Sequence, residues 1–216
     1  MSNQIYFVYG NKEMEHLKRK DQRLGAAIER VGLIKREVNP DLFSSLINSI
    51  VGQQISTKAQ LTVWKRMQER FQPFTPETLN KVDIETIQAC GISMRKAGYI
   101  SGITSAILNK EVNLQSLAEM PDEEVIKELT KFKGVGIWTA EMLLTFSMQR
   151  PDVVSFGDLA IQRGMRMLYS HKKITRELFK KYKRRYSPYG TVASLYLWAV
   201  AGGALPELKD PAPKNK

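Results

Sequence analysis

The sequence is almost without cysteine. Cys90 is the one cysteine among 216 residues, so no disulfide can form within the chain. Zinc and iron–sulfur sites that need several thiolates are excluded for the same reason. The two histidines, His16 and His171, lie far apart in charged surroundings, which argues against a metal site or a catalytic triad. We therefore expect neither a metal nor a cofactor.

Long apolar runs are also missing. The longest mainly apolar run, Val192 to Leu205, has 14 residues and is broken by Ser194 and two glycines. A helix that spans a bilayer needs about 20 residues, and no charged-then-apolar leader opens the chain at Met1. These absences predict an intracellular protein without a membrane partner.

Acidic residues are scarce relative to basic ones. The chain has 22 Asp and Glu against 33 Lys and Arg, a net charge of +11. This excess favours nucleic acid as the partner, although some proteins are basic for solubility alone. Eight of the basic residues lie between His171 and Arg185, against the single acid Glu177. That run is either part of a binding surface or a solvated helix face.

Helical periodicity dominates the chain. Apolar and polar residues alternate only in the short segment Ile5–Tyr9, so the predicted fold class is all-α. An apolar stripe at helical spacing follows Asp41 and predicts a helix that faces a core. Further helix starts are predicted where proline and acids suit a first turn, at Ser56-Thr57, at Thr75-Pro76-Glu77 and near Pro121-Asp122-Glu123.

A helix, a tight glycine turn and a second helix are predicted from Val125 onward. The turn has the sequence KGVG at 133–136. Its two glycines allow the backbone to approach another molecule closely, and the second helix begins with N–H groups that lack helical acceptors. Such a turn binds anions, and with Lys133 beside it a DNA phosphate is the expected anion. The alternative is an ordinary short loop between packed helices.

An aspartate lies at a predicted helix start downstream of this turn. Asp158 follows Gly136 by 22 residues. Taken alone, Asp158 is most simply an N-cap that accepts a backbone N–H.

Together these motifs resemble the helix-hairpin-helix DNA glycosylase superfamily. The segment LTKFKGVGIWTA at 129–140 is similar to the helix-hairpin-helix motif of DNA-binding proteins, and the loop that ends at Asp158 is similar to the one that carries the superfamily's invariant aspartate. The segments IVGQQISTKA at 50–59 and GISMRKAGYI at 91–100 resemble the 3-methyladenine DNA glycosylase II (alkylbase) family. The resemblance covers nearly the whole chain from about Asn11.

The resemblance implies an all-α, two-lobed helix-hairpin-helix DNA glycosylase fold with the active site in the cleft between the lobes. We expect a central lobe at 41–152, which contains the hairpin, and a second lobe that combines 1–40 with 153–216. The family's additional N-terminal β domain is expected to be absent, so the chain is a compact form.

The resemblance also assigns roles to single residues. Asp158 is the expected catalytic residue, Trp138 and Tyr189 are expected to bind the substrate base, and Gln54 occupies the position of the side chain that plugs the duplex. We interpret Trp64 and Trp198 as core residues. Arg163 contacts DNA or pairs with a carboxylate. The residues expected to bind DNA are Gln53, Gln54, Ser56, Lys58, Lys133, Gly134, Val135, Gly136, Thr139 and Arg163.

The expected activity is that of a monofunctional DNA glycosylase. Bifunctional members carry a lysine two residues after the second hairpin glycine, whereas this chain has Trp138, whose indole cannot form an imine. The expected substrate is double-stranded DNA containing N-alkylated, cationic purines, and the expected enzyme is a DNA-associated monomer that leaves an abasic site. The alternatives are a non-catalytic binder of DNA damage or DNA structure, and a glycosylase for mismatched or oxidised bases.

Overall fold

The computed structural model describes residues 5–212, and the regular secondary structure in this part of the chain is almost entirely helical. The predicted all-α class is confirmed. The strands are β1 (Ile5–Tyr6) and β2 (Glu37–Val38), and a short 3-10 helix covers Ser116–Glu119. The helices are α1 (Asn11–Lys20), α2 (Gln22–Val31), α3 (Leu42–Gly52), α4 (Thr57–Arg70), α5 (Pro76–Asn80), α6 (Ile84–Gln88), α7 (Met94–Leu108), α8 (Asp122–Leu129), α9 (Ile137–Phe146), α10 (Leu159–Tyr169), α11 (Arg176–Tyr186) and α12 (Gly190–Ala201). Among residues 5–212, no helix is both long and apolar enough to cross a membrane.

The predicted helix starts are confirmed by the residues that cap them. The side chains of Asp41, Ser56 and Thr75 accept backbone N–H groups at the starts of α3, α4 and α5. Helix α8 begins directly after Pro121, with three acids in its first turn. Local capping chemistry therefore determines where these helices begin.

The alternating segment near the N-terminus forms one strand of a minimal sheet. β1 pairs with β2 in antiparallel register, with Ile5 opposite Val38 and Tyr6 opposite Glu37. Because each strand has only two residues, this sheet contributes little to the core.

The chain divides into two compact units. The central unit is Asn39–Met148, and the terminal unit comprises the described residues of Met1–Val38 and Gln149–Lys216. That the active site lies in a cleft between two lobes stays a prediction.

In the central unit, α3 packs against three other helices. It contacts α4, α7 and α9, and its Leu46, Ile47 and Ile50 side chains are fully buried. Burying one such side chain stabilises a fold by about 1.5–3 kcal/mol. This packing fixes the two ends of α3, one of which leads into the Gln53–Gln54 segment.

In the terminal unit, α12 is buried on nearly all sides, as expected for a helix without a polar face. Helices α10 and α12 pack closely at Gly164, where a Cβ atom would lie 2.2 Å from the Leu197 carbonyl oxygen. Only glycine allows this approach. The close crossing brings the start of α10, and Asp158 with it, to the side of α12.

Candidate functional site

The predicted hairpin is present between α8 and α9. Phe132 and Val135 anchor the turn, because both side chains are buried and the Val135 N–H donates to the Phe132 carbonyl at 3.1 Å. Lys133 and Gly136 are exposed. The turn therefore presents its backbone and one lysine to solvent, while its apolar side chains hold it in place.

The two hairpin glycines serve different purposes. Gly134 has φ +89°, and a Cβ atom there would lie 2.4 Å from the Tyr99 ring, so both backbone conformation and internal packing require glycine. Gly136 has an ordinary φ of −95°, and a Cβ atom there would meet nothing within 4 Å. Only Gly136 leaves open space on the outer side of the turn.

Helix α9 begins at this open glycine. Gly136 provides no side-chain cap, and the Ala140 N–H makes the first helical bond to the Gly136 carbonyl. Helix N-termini of this kind attract anions. Ile137 and Trp138 are 63% and 47% exposed beside it, whereas the Thr139 side chain is buried.

The Gln53–Gln54 segment is brought to the hairpin by hydrogen bonding. The Gln53 Nε2 atom donates to the Gly134 carbonyl at 2.7 Å. Gln54 is exposed and has φ +57°, an uncommon conformation for a residue with a side chain. Ser56 caps α4, and Lys58 is exposed in its first turn. The central unit thus joins both predicted DNA-binding segments into one surface.

Lys96 of α7 donates hydrogen bonds to the backbone that leads into the Gln53–Gln54 segment. Its ammonium group donates to the Val51 carbonyl at 2.8 Å and to the Gln53 carbonyl at 2.5 Å. The side chain is buried, and this burial, together with the charge of Arg95, lowers the pKa of Lys96. A cation at the C-terminus of α3 also interacts favourably with the helix dipole.

Asp158 is held in one orientation in the terminal unit. It is only 7% exposed, and its Oδ1 atom accepts hydrogen bonds from the Ile161 N–H at 2.8 Å and from the Trp198 Nε1 at 3.2 Å. The first bond confirms the N-cap of α10. The second bond comes from an indole of α12, which also holds the carboxylate in this orientation.

The loop before Asp158 is tied to the start of α12. The Thr191 hydroxyl donates to the Arg150 carbonyl at 2.5 Å and accepts from the Val153 N–H at 3.0 Å. The Ser194 hydroxyl donates to the Val153 carbonyl. The backbone that leads to Asp158 is therefore braced by the same helix that carries Trp198.

Tyr189 and Arg163 have partners within the terminal unit. The half-buried Tyr189 ring meets His16 edge to face, with ring centroids 5.1 Å apart. Arg163 has its Nε atom 3.8 Å from the Asp210 carboxylate. Of the two alternatives for Arg163, pairing with a carboxylate is therefore observed, and contact with DNA stays a prediction.

Two residues of the site were not predicted. Lys96 falls within the segment GISMRKAGYI, but a lysine in the first turn of a helix gives no sign of burial. The sequence predicts a core position for Trp198, whereas the residue is half-buried and its indole N–H donates to Asp158. The core prediction for Trp198 rests on its helical spacing with apolar neighbours. That spacing carries no information about a hydrogen bond from the indole N–H. Among residues 5–212, no cluster of three or more His, Cys, Asp or Glu side chains is suited to hold a metal ion.

Comparisons with known proteins agree on one family. A model of the "HhH-GPD superfamily base excision DNA repair protein" matches residues 47–188. The chain is 35% identical to DNA-3-methyladenine glycosylase 1 of Schizosaccharomyces pombe over 164 aligned residues. The aligned region covers 74% of this chain and 72% of the relative.

Solved structures of DNA glycosylases are also similar to this chain. The crystal structure of DNA-3-methyladenine glycosidase from Bacillus halodurans superposes with a TM-score of 0.84 at 35% identity, covering 94% of this chain and 95% of that one. The Schizosaccharomyces pombe 3-methyladenine DNA glycosylase in complex with abasic DNA gives 0.76 at 31% identity, covering 88% and 96%.

Proposed function

The chain belongs to the HhH-GPD superfamily of base excision DNA repair proteins, and we propose that it is a monofunctional DNA glycosylase for N-alkylated purines. The substrates would be bases such as 3-methyladenine and 7-methylguanine in duplex DNA, and the product an abasic site. The observation that carries the proposal is the buried Asp158 carboxylate, which is oriented by the Ile161 N–H and the Trp198 indole.

Asp158 acts on the sugar of the damaged nucleotide. A base methylated on a ring nitrogen already carries a positive charge, so it departs without a strong general acid, and positive charge develops on the sugar instead. A carboxylate held in a fixed orientation stabilises that charge without reorganising. It also orients and deprotonates the attacking water. The bonds from Ile161 and Trp198 to Oδ1 supply this fixed orientation.

Trp138 and Tyr189 contact the damaged base after it has been flipped out of the stack. Aromatic rings attract cations by about 0.5–2 kcal/mol per contact, so they favour a positively charged base over its neutral parent. Support comes from Trp138, which is 47% exposed in the first turn of α9, a position where a core residue would be buried.

The absence of strand cleavage follows from the residue after the hairpin. Imine formation with the sugar requires an amine nucleophile. The position that carries a lysine in bifunctional members is Trp138 here, and an indole cannot attack the sugar. Lys133 lies on the other side of the turn, where it neutralises a phosphate.

The hairpin and the Gln54 segment bind the duplex. Backbone amides at the start of α9 hold a phosphate that approaches through the open space at Gly136, which fixes position without reading sequence. Gln54 fills the gap left by the extruded nucleotide. Gln53 and Lys96 act as positioning residues, because their hydrogen bonds hold the Gln54 backbone against the hairpin.

The decisive experiment is base release from DNA treated with a methylating agent, with the released bases separated by chromatography. We expect 3-methyladenine and 7-methylguanine in solution, a strand that stays intact until it is heated in alkali, and no enzyme–DNA adduct trapped by borohydride. Binding of methylated DNA without base release would identify a non-catalytic damage binder instead. A trapped adduct would move the protein to the bifunctional branch.

A further inference from the structure

Helix α11 is strongly basic on its solvent side. Its buried residues are the aromatic side chains of Phe179, Tyr182 and Tyr186. All six of its basic side chains are exposed, namely Arg176, Lys180, Lys181, Lys183, Arg184 and Arg185. The one acid of the helix is Glu177. The part of the basic run that lies in α11 is thus an exposed cationic face.

Several of these cations repel one another. Like charges four residues apart repel each other, and α11 has such pairs at Arg176–Lys180, Lys180–Arg184 and Lys181–Arg185. Within residues 5–212, Arg185 is the only one of the six basic side chains with a carboxylate within 4 Å, that of Asp21 at 3.3 Å. An anionic partner would neutralise the charge that the fold leaves uncompensated.

A cavity of about 620 Å³ extends this face. It lies where α1 meets α2, and its basic lining consists of Arg19, Lys20, Arg23 and Arg185. The one carboxylate there, Asp21, is buried and already accepts from the Leu24 N–H and from Arg185. Its remaining lining includes the Tyr169 and Tyr182 rings, stacked with centroids 3.9 Å apart.

We propose that this cavity and the exposed side of α11 form a second DNA-binding surface, which holds the phosphodiester backbone of duplex DNA without reading sequence or damage. We call it the basic face, and define it as the six basic residues of α11 with Arg19, Lys20 and Arg23. The inference rests on the proposed function, since it assumes that DNA is the substrate. It assigns to the terminal unit a binding role separate from that of the hairpin.

Charge and length identify duplex DNA as the occupant. The basic face has nine cations. Counted with the adjacent acids Asp21 and Glu177, this region has a net charge of +7, and the whole chain has +11. The 11 residues of α11 extend about 16 Å at 1.5 Å per residue, and phosphates along a duplex present one charge per about 1.7 Å of its axis. A single small anion would occupy only part of the cavity and leave the face of α11 unoccupied. Binding of this kind keeps a repair enzyme on undamaged DNA while it slides and hops.

The test measures binding to an undamaged duplex over a range of salt concentrations. Lys180→Glu places a carboxylate between Arg176 and Arg184, four residues from each, so the repulsive pairs become attractive and Tm should not fall. Binding should weaken nevertheless. We expect the slope of log K against log salt to fall by about 1 for this variant, and by about 2 when Lys20→Gln is added, since each lost phosphate contact is worth about 0.9.

The matched control is Lys35→Glu with Lys81→Gln, which changes the net charge equally at two exposed lysines outside the basic face. We expect its slope to stay near that of the parent. A parent slope in the Lys180→Glu and Lys20→Gln double variant, or an equal decrease in the control, would overturn the proposal. Base release by the parent is measured in the same series. A parent that releases no base would overturn the proposed function, and the basic face would still be judged by its salt slope.

Discussion

At the scale of single residues, a substitution at Asp158 can remove the negative charge of the side chain while keeping its hydrogen bonds. Asparagine keeps an oxygen that accepts from Ile161 and Trp198 and is itself a good N-cap, so Asp158→Asn should fold and bind DNA like the parent. Base release should fall by a factor on the order of 100 or more, because the developing positive charge loses its counter-ion. The measurement is single-turnover base release with Tm recorded alongside.

Asp83→Asn is the matched control for that experiment. Asp83 also caps a helix, α6, and accepts from the Thr86 N–H at 2.7 Å. We expect this variant to release bases at the parent rate. If Asp158→Asn behaved in the same way, the carboxylate would be a helix cap and nothing more.

Trp138 tests the preference for charge on the base. Because its ring is 47% exposed, Trp138→Ala should cost little stability. It should slow release of the cationic base 7-methylguanine more than release of a neutral adduct, by about the factor of 2 to 30 that corresponds to one cation–π contact. Release rates on the two substrates give the answer, with the exposed neighbour Ile137→Ala as control. Equal losses on both substrates would make Trp138 a packing residue.

At the scale of elements, substitutions at the two glycines of the hairpin turn are expected to have different effects, one on stability and the other on DNA binding. Gly134→Ala forces a Cβ atom into the Tyr99 ring at a φ of +89°, and we expect it to lower the free energy of unfolding by about 1–3 kcal/mol. Gly136→Ala meets no atom within 4 Å, so stability should be unchanged while affinity for any duplex falls, because the methyl group stands where the phosphate approaches. Urea unfolding and duplex binding measure the two effects. Parent-like affinity of Gly136→Ala would argue against a phosphate site at this turn.

The crossing of α10 and α12 connects stability to catalysis. Gly164→Ala would place a Cβ atom 2.2 Å from the Leu197 carbonyl, so the helices must separate, at a cost of about 1–3 kcal/mol. Separation also moves Asp158 away from Trp198, and base release should decrease even where the variant is fully folded. Gly102→Ala in α7 is the control, since nothing lies within 4 Å of its Cβ position, and it should stabilise the fold by up to about 1 kcal/mol.

Elements were more predictable than the contacts between them. The starts of α3, α4 and α5 follow from Asp41, Ser56 and Thr75, whose capping hydrogen bonds reach three residues along the chain. The bond from Lys96 to Val51 spans 45 residues, and that from Trp198 to Asp158 spans 40. Helix packing determines which side chains come into contact over such separations. The periodicity of the sequence does not predict how the helices pack. Sequence signals that are local can therefore nominate site residues such as Asp158, whereas the long-range contacts of Lys96 and Trp198 could not be predicted.

At the scale of the whole molecule, the ion pair between Asp210 and Arg166 of α10 contributes to stability in a way that acid removes. The Asp210 carboxylate accepts from Arg166 at 2.8 and 2.5 Å, and this hydrogen bonding lowers the pKa of Asp210 below its usual 3.8. A lowered carboxylate pKa contributes stability that is complete above the unfolded value and is lost as pH falls through the folded value. Asp210→Asn should therefore cost about 1–2 kcal/mol at pH 7 and progressively less below pH 4. Tm measured from pH 7 to pH 3 checks this, and a pH-independent difference would contradict it.

The terminal unit is built from two stretches of chain separated by the whole central unit, and this has a consequence for biosynthesis. On the ribosome, α1 and α2 are made more than 100 residues before α12, against which both helices pack. The two helices carry the buried apolar side chains Leu17, Leu24 and Ile28. Asn39–Met148 is contiguous and completes its contacts as it emerges. The first two helices therefore leave apolar side chains exposed to solvent until the C-terminal helices have been synthesised.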